Sequence, residues 1–322
     1  MKHAACLFRI LVLSCVASTV GAADADNYPN RSIRIIDAFV PGGPSDVISR
    51  ILAQKLTESL GQPVIVENRG SAGGIVGFEV GSKAAPDGYT LIFAPQAPLT
   101  INPSVYKKLP YDPLRDFEAV TQISSAAYMM VVHPSIPAKT VPEFIALAKK
   151  RPGEINYAST GANNLLAMEM FNHMAGVKTV NIPYKGTGQA VQAILAGEIQ
   201  VFVISPLVGT AQVKAGKLRL IGMTGLQRSP QWPDMPTVAE TLPGFESVVW
   251  HGVVVPNKTP QAIINKLATE IVRISKLPDF RERLSSQGLD VIGSTPEEFS
   301  TLIKNETVLF AKLVKQIGFQ PQ

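Results

Sequence analysis

Ile33-Arg34-Ile35-Ile36-Asp37-Ala38-Phe39 runs through Val40-Pro41-Gly42-Gly43-Pro44-Ser45-Asp46 into Val47-Ile48, with Ile51, Leu52, Leu56 and Leu60 beyond. The first seven residues form a β-rich apolar run and the last set recurs with helical spacing, so the two glycines fall at a strand-to-helix turn. A helix N-terminus offers unpaired N–H donors and the positive end of the macrodipole, and glycine lets a ligand come close to the backbone. The turn therefore reads as an anion cradle. No Gly-Lys-Ser/Thr ending follows it, which points away from a nucleotide triphosphate and toward a carboxylate.

The same alternation continues along the chain. Strand-like runs lie at 33–39, 64–67, 90–94, 119–122, 129–133, 155–158, 179–182, 201–204, 218–224 and 248–255. Helical stretches lie at 45–60, 74–84, 141–150, 163–175, 187–196, 206–215, 260–275, 278–287 and 295–317. This order predicts α/β layering with largely parallel sheets. Thr140-Val141-Pro142-Glu143 predicts a capping box, and Ser294-Thr295-Pro296-Glu297-Glu298 a hydroxyl cap with early Pro and acids in the first turn. With no low-complexity linker, two lobes must be stitched through strands, and 128–133 and 250–255 are the expected crossings. That gives one lobe from 23–127 plus 251–322 and another from 128–250. Two α/β lobes around a cleft hold ligands at the carboxyl ends of strands.

Met1-Lys2-His3, a mostly apolar stretch to Val20, and the small residues Gly21-Ala22 read as a secretory signal peptide over 1–22. Val12-Leu13-Ser14-Cys15 resembles a lipoprotein box only loosely, so cleavage and release is the reading taken. Cys6 and Cys15 both lie in that segment, leaving a mature chain without thiols, as befits a periplasmic protein stabilised by its core. The composition, 46% hydrophobic and 17% charged, is that of a soluble globular protein. Without Lys2 and Arg9 the formal charge of +5 falls to +3, too small and scattered for nucleic acid though mildly favourable to anions.

A second junction, Asn156-Tyr157-Ala158-Ser159-Thr160-Gly161-Ala162-Asn163, again gathers hydroxyls and amides at a helix start. Ser159, Thr160 or Asn163 could simply cap that helix; facing the first junction across a cleft, they could bind. The glycines of Arg69-Gly70-Ser71-Ala72-Gly73-Gly74-Ile75-Val76-Gly77 serve equally well as a tight turn with close helix–sheet contact or as ligand contacts, and Arg69 could pair with Glu67 or Asp46. Gly186-Thr187-Gly188 begins like a dinucleotide fingerprint, but the third glycine and the ribose-binding acid are missing. His133, His173 and His251 lack metal-ligand spacing, so no metal and no cofactor is expected. No nucleophile elbow exists, and no catalytic residue is expected.

Taken in order, Tyr28-Pro29, Pro41-Gly42-Gly43 with Asp46, Leu60-Gly61-Gln62-Pro63-Val64, Val66-Glu67-Asn68-Arg69, Ala72-Gly73-Gly74, Ala85-Pro86-Asp87-Gly88-Tyr89-Thr90, Leu109-Pro110-Tyr111-Asp112-Pro113, Val132-His133-Pro134-Ser135, Asn156-Tyr157-Ala158-Ser159, Pro183-Tyr184-Lys185-Gly186 and Pro236-Thr237 resemble the Bug-type solute receptors of tripartite tricarboxylate transporters. The resemblance covers essentially the whole mature chain. It implies a two-lobed periplasmic-binding-protein fold of type II, each lobe a sheet flanked by helices. It also implies a small carboxylate ligand, integral membrane transporter subunits as partners, and a monomer. Carried onto this chain, the ligand-binding set is Phe39, Gly42, Gly43, Ser45, Asp46, Gln96 and Ala97 from the first lobe. From the second come Ser159, Thr160, Gly161, Asn163 and Ser205. Family members often carry Phe-Asp after the strand that begins at Val201, where this chain reads Val203-Ile204-Ser205, and that acid can meet an amino group or hydroxyl of the ligand. Its absence points to a dicarboxylate with an apolar body, a phthalate isomer included. The competing readings are an exported α/β hydrolase, hinted at only by Ser45 beside Asp46, and a ligand-sensing receptor for a membrane signalling protein.

Overall fold

The computed structural model describes residues 27–321, so the signal-peptide reading of 1–22 lies outside the described residues. The first segment runs β1 (Ile33–Asp37), α1 (Pro44–Leu60), β2 (Val64–Asn68), α2 (Ile75–Ser82), β3 (Thr90–Pro95), the short helices α3 (Gln96–Thr100), α4 (Asn102–Val105) and α5 (Pro113–Asp116), and β4 (Phe117–Ala127). The middle comprises β5 (Met129–Val132), α6 (Val141–Lys150), β6 (Asn156–Ser159), α7 (Ala162–Ala175), β7 (Val180–Pro183), α8 (Thr187–Leu195), β8 (Val201–Ile204), α9 (Pro206–Lys214) and β9 (Arg219–Met223). The chain closes with β10 (Val248–Pro256), α10 (Gln261–Ser275), α11 (Pro278–Ser285), β11 (Asp290–Val291) and α12 (Pro296–Gln316).

The strands form two sheets, ordered β11-β4-β10-β3-β1-β2 and β7-β6-β8-β5-β9. Their mixed direction corrects the expectation of largely parallel sheets. β1 runs parallel to β2 and β3, but β10 is antiparallel to β3 and β4. Likewise β6 is parallel to β7 and β8, while β5 is antiparallel to β8 and β9. The antiparallel strands flank the passages between sheets. A strand arriving from the other sheet has no crossover helix to turn it around, so it joins antiparallel. At these passages only Tyr128 separates β4 from β5. Buried Thr224 ties both passages together, accepting from the Tyr128 N–H at 2.7 Å and donating its own N–H to the Tyr128 carbonyl at 3.0 Å, while the Ser247 N–H reaches the Thr224 carbonyl at 2.9 Å.

Side-chain alternation sorts the first core. Ile33, Ile35, Leu91 and Phe93 pack on one face with Ile48, Leu52 and Leu56 of α1 and Ile263, Leu267 and Ile271 of α10. Ile92, Trp250 and Val254 face the other way, toward Phe78 of α2 and Phe299 of α12. Each such buried side chain contributes roughly 1.5–3 kcal/mol. The apolar stripe of α1 thus presses the helix onto β1 and fixes where its N-terminus points. Helix ends follow the caps: Thr295 and Glu298 form a complete capping box. At α6 the Thr140 hydroxyl accepts from the Glu143 N–H, but the Glu143 carboxylate reaches back one residue further, to the Lys139 N–H at 2.6 Å.

Candidate functional site

The first loop is shaped by two carboxylates that point away from the cleft. Asp37, the last residue of β1, is fully buried and accepts the Phe39 N–H at 3.0 Å, the Ser45 hydroxyl at 2.8 Å and the Ser49 hydroxyl at 3.0 Å. Burial pushes its pKa up to about 6 against those hydrogen bonds. For Asp46, burial alone would also raise the pKa, but hydrogen bonds from Arg50, Gly42 and Asn68 outweigh it and hold the acid below its ordinary value. Its Oδ2 accepts the Gly42 N–H at 3.0 Å, and its Oδ1 receives Asn68 Nδ2 at 2.9 Å and Arg50 at 2.8 Å. Gly42 supplies the positive φ of 80° the turn requires. Among the described residues, the N–H groups of Gly43, Ser45 and Asp46 find no acceptor in the chain. They stand free at the start of α1.

The second loop repeats this logic. The Thr160 hydroxyl and N–H both donate to Asn164 Oδ1, at 2.9 and 3.3 Å, and Asn164 Nδ2 donates to the Val203 carbonyl at 2.7 Å. The side chain of Asn164 therefore clamps the loop to β8 and leaves the first N–H groups of α7 open. Both junctions border one cavity of about 810 Å³, mouth included. Of the expected residues, Phe39, Gly43, Ser45, Ala97, Thr160, Gly161, Asn163 and Ser205 line it.

Gly42, Asp46, Gln96 and Ser159 lie outside the lining, each for a visible reason. Gly42 and Asp46 are bonded to one another inside the turn. Ser159 is buried at the end of β6, its carbonyl accepting the Tyr184 N–H at 2.8 Å. Gln96 is 2% exposed and bridges the lobes instead: its Oε1 accepts Asn163 Nδ2 at 2.7 Å, and its Nε2 donates to Glu306 Oε2 at 2.9 Å. The Trp250 indole donates to the same carboxylate oxygen at 2.8 Å, and burial nevertheless keeps the Glu306 pKa raised.

Several lining residues escaped the reading of the sequence. Asn164, Gly186 and Thr187 join from the second lobe and Tyr128, Val249 and His251 from the strand passages. Gly186 approaches Val40 so closely that a Cβ there would lie 2.9 Å from its Cγ2. Gly70 and Gly77 answer the question about the third loop, since a Cβ would lie 2.9 Å from the Val40 nitrogen and 2.6 Å from the Ala38 Cα respectively. These are close-packing glycines, while Gly73 also reaches the cavity. Arg69 pairs with Glu67, not Asp46.

Among the described residues, no Asp, Glu, Lys or Arg lines the cavity. Its walls are Phe39, Pro95, Phe202, Ile204 and Val249, and its polar equipment is backbone N–H, amides, hydroxyls and the His251 imidazole. The Ser205 hydroxyl, at the start of α9, is buried without a partner. Ser45 donates to Asp37, with no imidazole in the relay. Such a site can grip an anion through neutral donors and enclose an apolar body.

Fold and site together define a two-lobed solute receptor of the periplasmic-binding-protein class. The chain belongs to the tripartite tricarboxylate transporter family of receptors, whose family model, TctC, matches residues 48–319. It binds a solute for such a transporter. Protein BugT of Bordetella pertussis is 33% identical over 316 residues, covering 96% of this chain and 97% of that protein. The solved structure of R. palustris Rpa4515 with adipate superposes with a TM-score of 0.89 at 27% identity, over 92% of this chain and 100% of that one. MatC (Rpa3494) from Rhodopseudomonas palustris with bound malate gives 0.84 at 28%, over 89% and 100%.

Proposed function

We propose that this receptor closes on a small dicarboxylate with an apolar body, aromatic bodies such as a phthalate isomer included. One carboxylate sits between the free N–H groups of the 42–46 and 160–163 loops. The observation that carries the reading is two helix N-termini, one from each lobe, bordering a single cavity without a charged side chain. Adipate in Rpa4515 and malate in MatC support the ligand class. A micromolar affinity needs about −8 kcal/mol. Hydrogen bonds to a charged group contribute roughly 1.5–3 kcal/mol each and a helix end about 0.3–1, so several contacts less the costs of closure suffice.

The lobes are 23–127 plus 251–322 and 128–250, a division supported by the sheet membership of β4, β5, β9 and β10, with the second crossing drawn nearer Val248, where β10 begins. The protein works as a periplasmic monomer after removal of 1–22, hands its solute to integral membrane subunits and catalyses no reaction. Against a hydrolase stands the hydroxyl of Ser45, committed to Asp37. The test is a thermal-shift panel of aliphatic diacids, aromatic diacids and amino acids. Stabilisation by diacids is the expected result; stabilisation by aspartate or glutamate and by no unsubstituted diacid would overturn it.

A further inference from the structure

His251 lines the cavity from outside both loops. It lies on β10 opposite Pro95, the last residue of β3, and is 3% exposed. Its ring stacks on Phe93, with centroids 5.8 Å apart and planes inclined by 25°, and its Nδ1 lies 3.2 Å from the Ser124 hydroxyl of β4. Two partners thus hold the imidazole in one orientation. Among the described residues Nε2 has no partner, and the ring borders the cavity. The ring packs on Phe93, faces Ser124 of β4 and lies in register with Pro95 of β3, and no acid or cation is among the described residues lining the cavity it borders.

Burial in such surroundings favours the neutral ring, with a pKa pushed down to about 4. A neutral imidazole carries one N–H, and its neighbour decides which nitrogen has it. The Ser124 hydroxyl can donate to Nδ1, which leaves the proton on Nε2 and turns that nitrogen into a donor toward the cavity. The polar side chains of the two loops are spent on the protein itself, Ser45 on Asp37, Thr160 on Asn164, and Asn163 on Gln96, whereas the lining Ser205 hydroxyl, like the His251 Nε2, has no partner among the described residues. His251 is spent only on its far side.

We infer that His251 is a specificity-determining residue, whose Nε2–H receives the second carboxylate of the ligand while the loops hold the first. This rests on the dicarboxylate reading above. The cavity then offers two sets of donors, the loop N–H groups and a pre-oriented imidazole, within apolar walls. A monoacid of the same length would fill the walls and leave the imidazole N–H without its acceptor.

The experiment is isothermal titration of the full mature chain with three matched pairs: succinate and butyrate, adipate and hexanoate, terephthalate and p-toluate. The wild-type protein is expected to prefer the diacid of at least one pair by about tenfold or more, the value of one good hydrogen bond to a charged group. For that pair, H251F, which keeps an aromatic ring on Phe93, should weaken the diacid by at least about tenfold and the monoacid by less than about threefold. H251Q keeps a neutral donor and should recover most of the difference. Should H251F fail to fold, S124A supplies the same test, since loss of the hydroxyl frees the tautomer and should weaken the diacid selectively. Equal losses for both members of the pair, or no loss for either, would overturn the inference while leaving the dicarboxylate reading standing. A wild-type protein with no preference for diacids, or one that binds none of the six acids, would instead remove the reading beneath it.

Discussion

Gly43→Val puts the loop reading at risk in a way that separates binding from folding. Gly43 has φ −79° and ψ 170°, extended backbone open to any residue. A Cβ built there meets only the Val40 carbonyl oxygen, at the ordinary contact distance of 3.5 Å. The fold has no reason to object. Replacing glycine at compatible dihedrals removes disorder from the unfolded chain and stabilises by about 0.4–1 kcal/mol, so the melting temperature of the ligand-free protein should hold or rise. The ligand does have reason to object, because the new side chain enters the space from which a carboxylate reaches the N–H groups of Ser45 and Asp46. Losing one charge-assisted hydrogen bond costs about 1.5–3 kcal/mol, a rise in Kd of between about tenfold and a hundredfold or slightly more. Titration calorimetry of wild type, G43A and G43V with the diacid of highest affinity measures this, and the loss should grow with side-chain size. A Kd within about twofold of wild type for G43V, with the melting temperature preserved, would remove the first loop from the site.

Three further outcomes follow from the geometry. Gly186→Val would drive a side chain into Val40 across the cleft; Kd should rise several-fold, small-angle scattering should give a larger radius of gyration for the liganded protein, and V40A in the same chain should restore both. Gln96→Leu breaks the relay from Asn163 to Glu306 and leaves buried polar atoms unpaired, which should cost about 1–3 kcal/mol in urea unfolding; an unchanged midpoint would contradict it. Asp37 has a folded-state pKa of about 6 against 3.8 unfolded, so the folded chain binds its proton more tightly. The stability this provides is complete below about pH 4 and is lost as pH rises through about 6, roughly 3 kcal/mol in all. The melting temperature of wild type minus that of D37N should therefore fall between pH 4 and pH 7, and a difference that rises would reverse the assignment.

What could be read from the sequence was local. The turn at 40–46 announces itself because an apolar strand, two glycines and a helical stripe are contiguous, and the start of α12 does so through a hydroxyl cap, an early Pro and the acids Glu297 and Glu298. Short α3, α4 and α5 were invisible because four or five residues hold too little periodicity. Asn164 carries no signal of its own in the sequence; its part in clamping the Thr160 loop depends on β8 lying alongside. Gln96 and Asn163 were both expected at a ligand and instead meet each other, 67 positions apart in sequence. His251 was weighed only as a metal ligand, since nothing in Trp250-His251-Gly252 reveals that β10 inserts beside β3 and turns that ring toward the cleft. For Asn164, Gln96, Asn163 and His251 the missing information was a pairing between distant segments, which no local pattern encodes.

The central claim, that this receptor encloses an organic diacid, meets its most direct test in native mass spectrometry of the mature protein purified without added ligand and then titrated with adipate, succinate and terephthalate. The account predicts a single adduct per chain at the mass of a dicarboxylic acid, either carried through purification or formed on titration, and lost in the G43V variant. A chain that stays bare throughout, or that retains an amino acid or a cation in the same position, would contradict it.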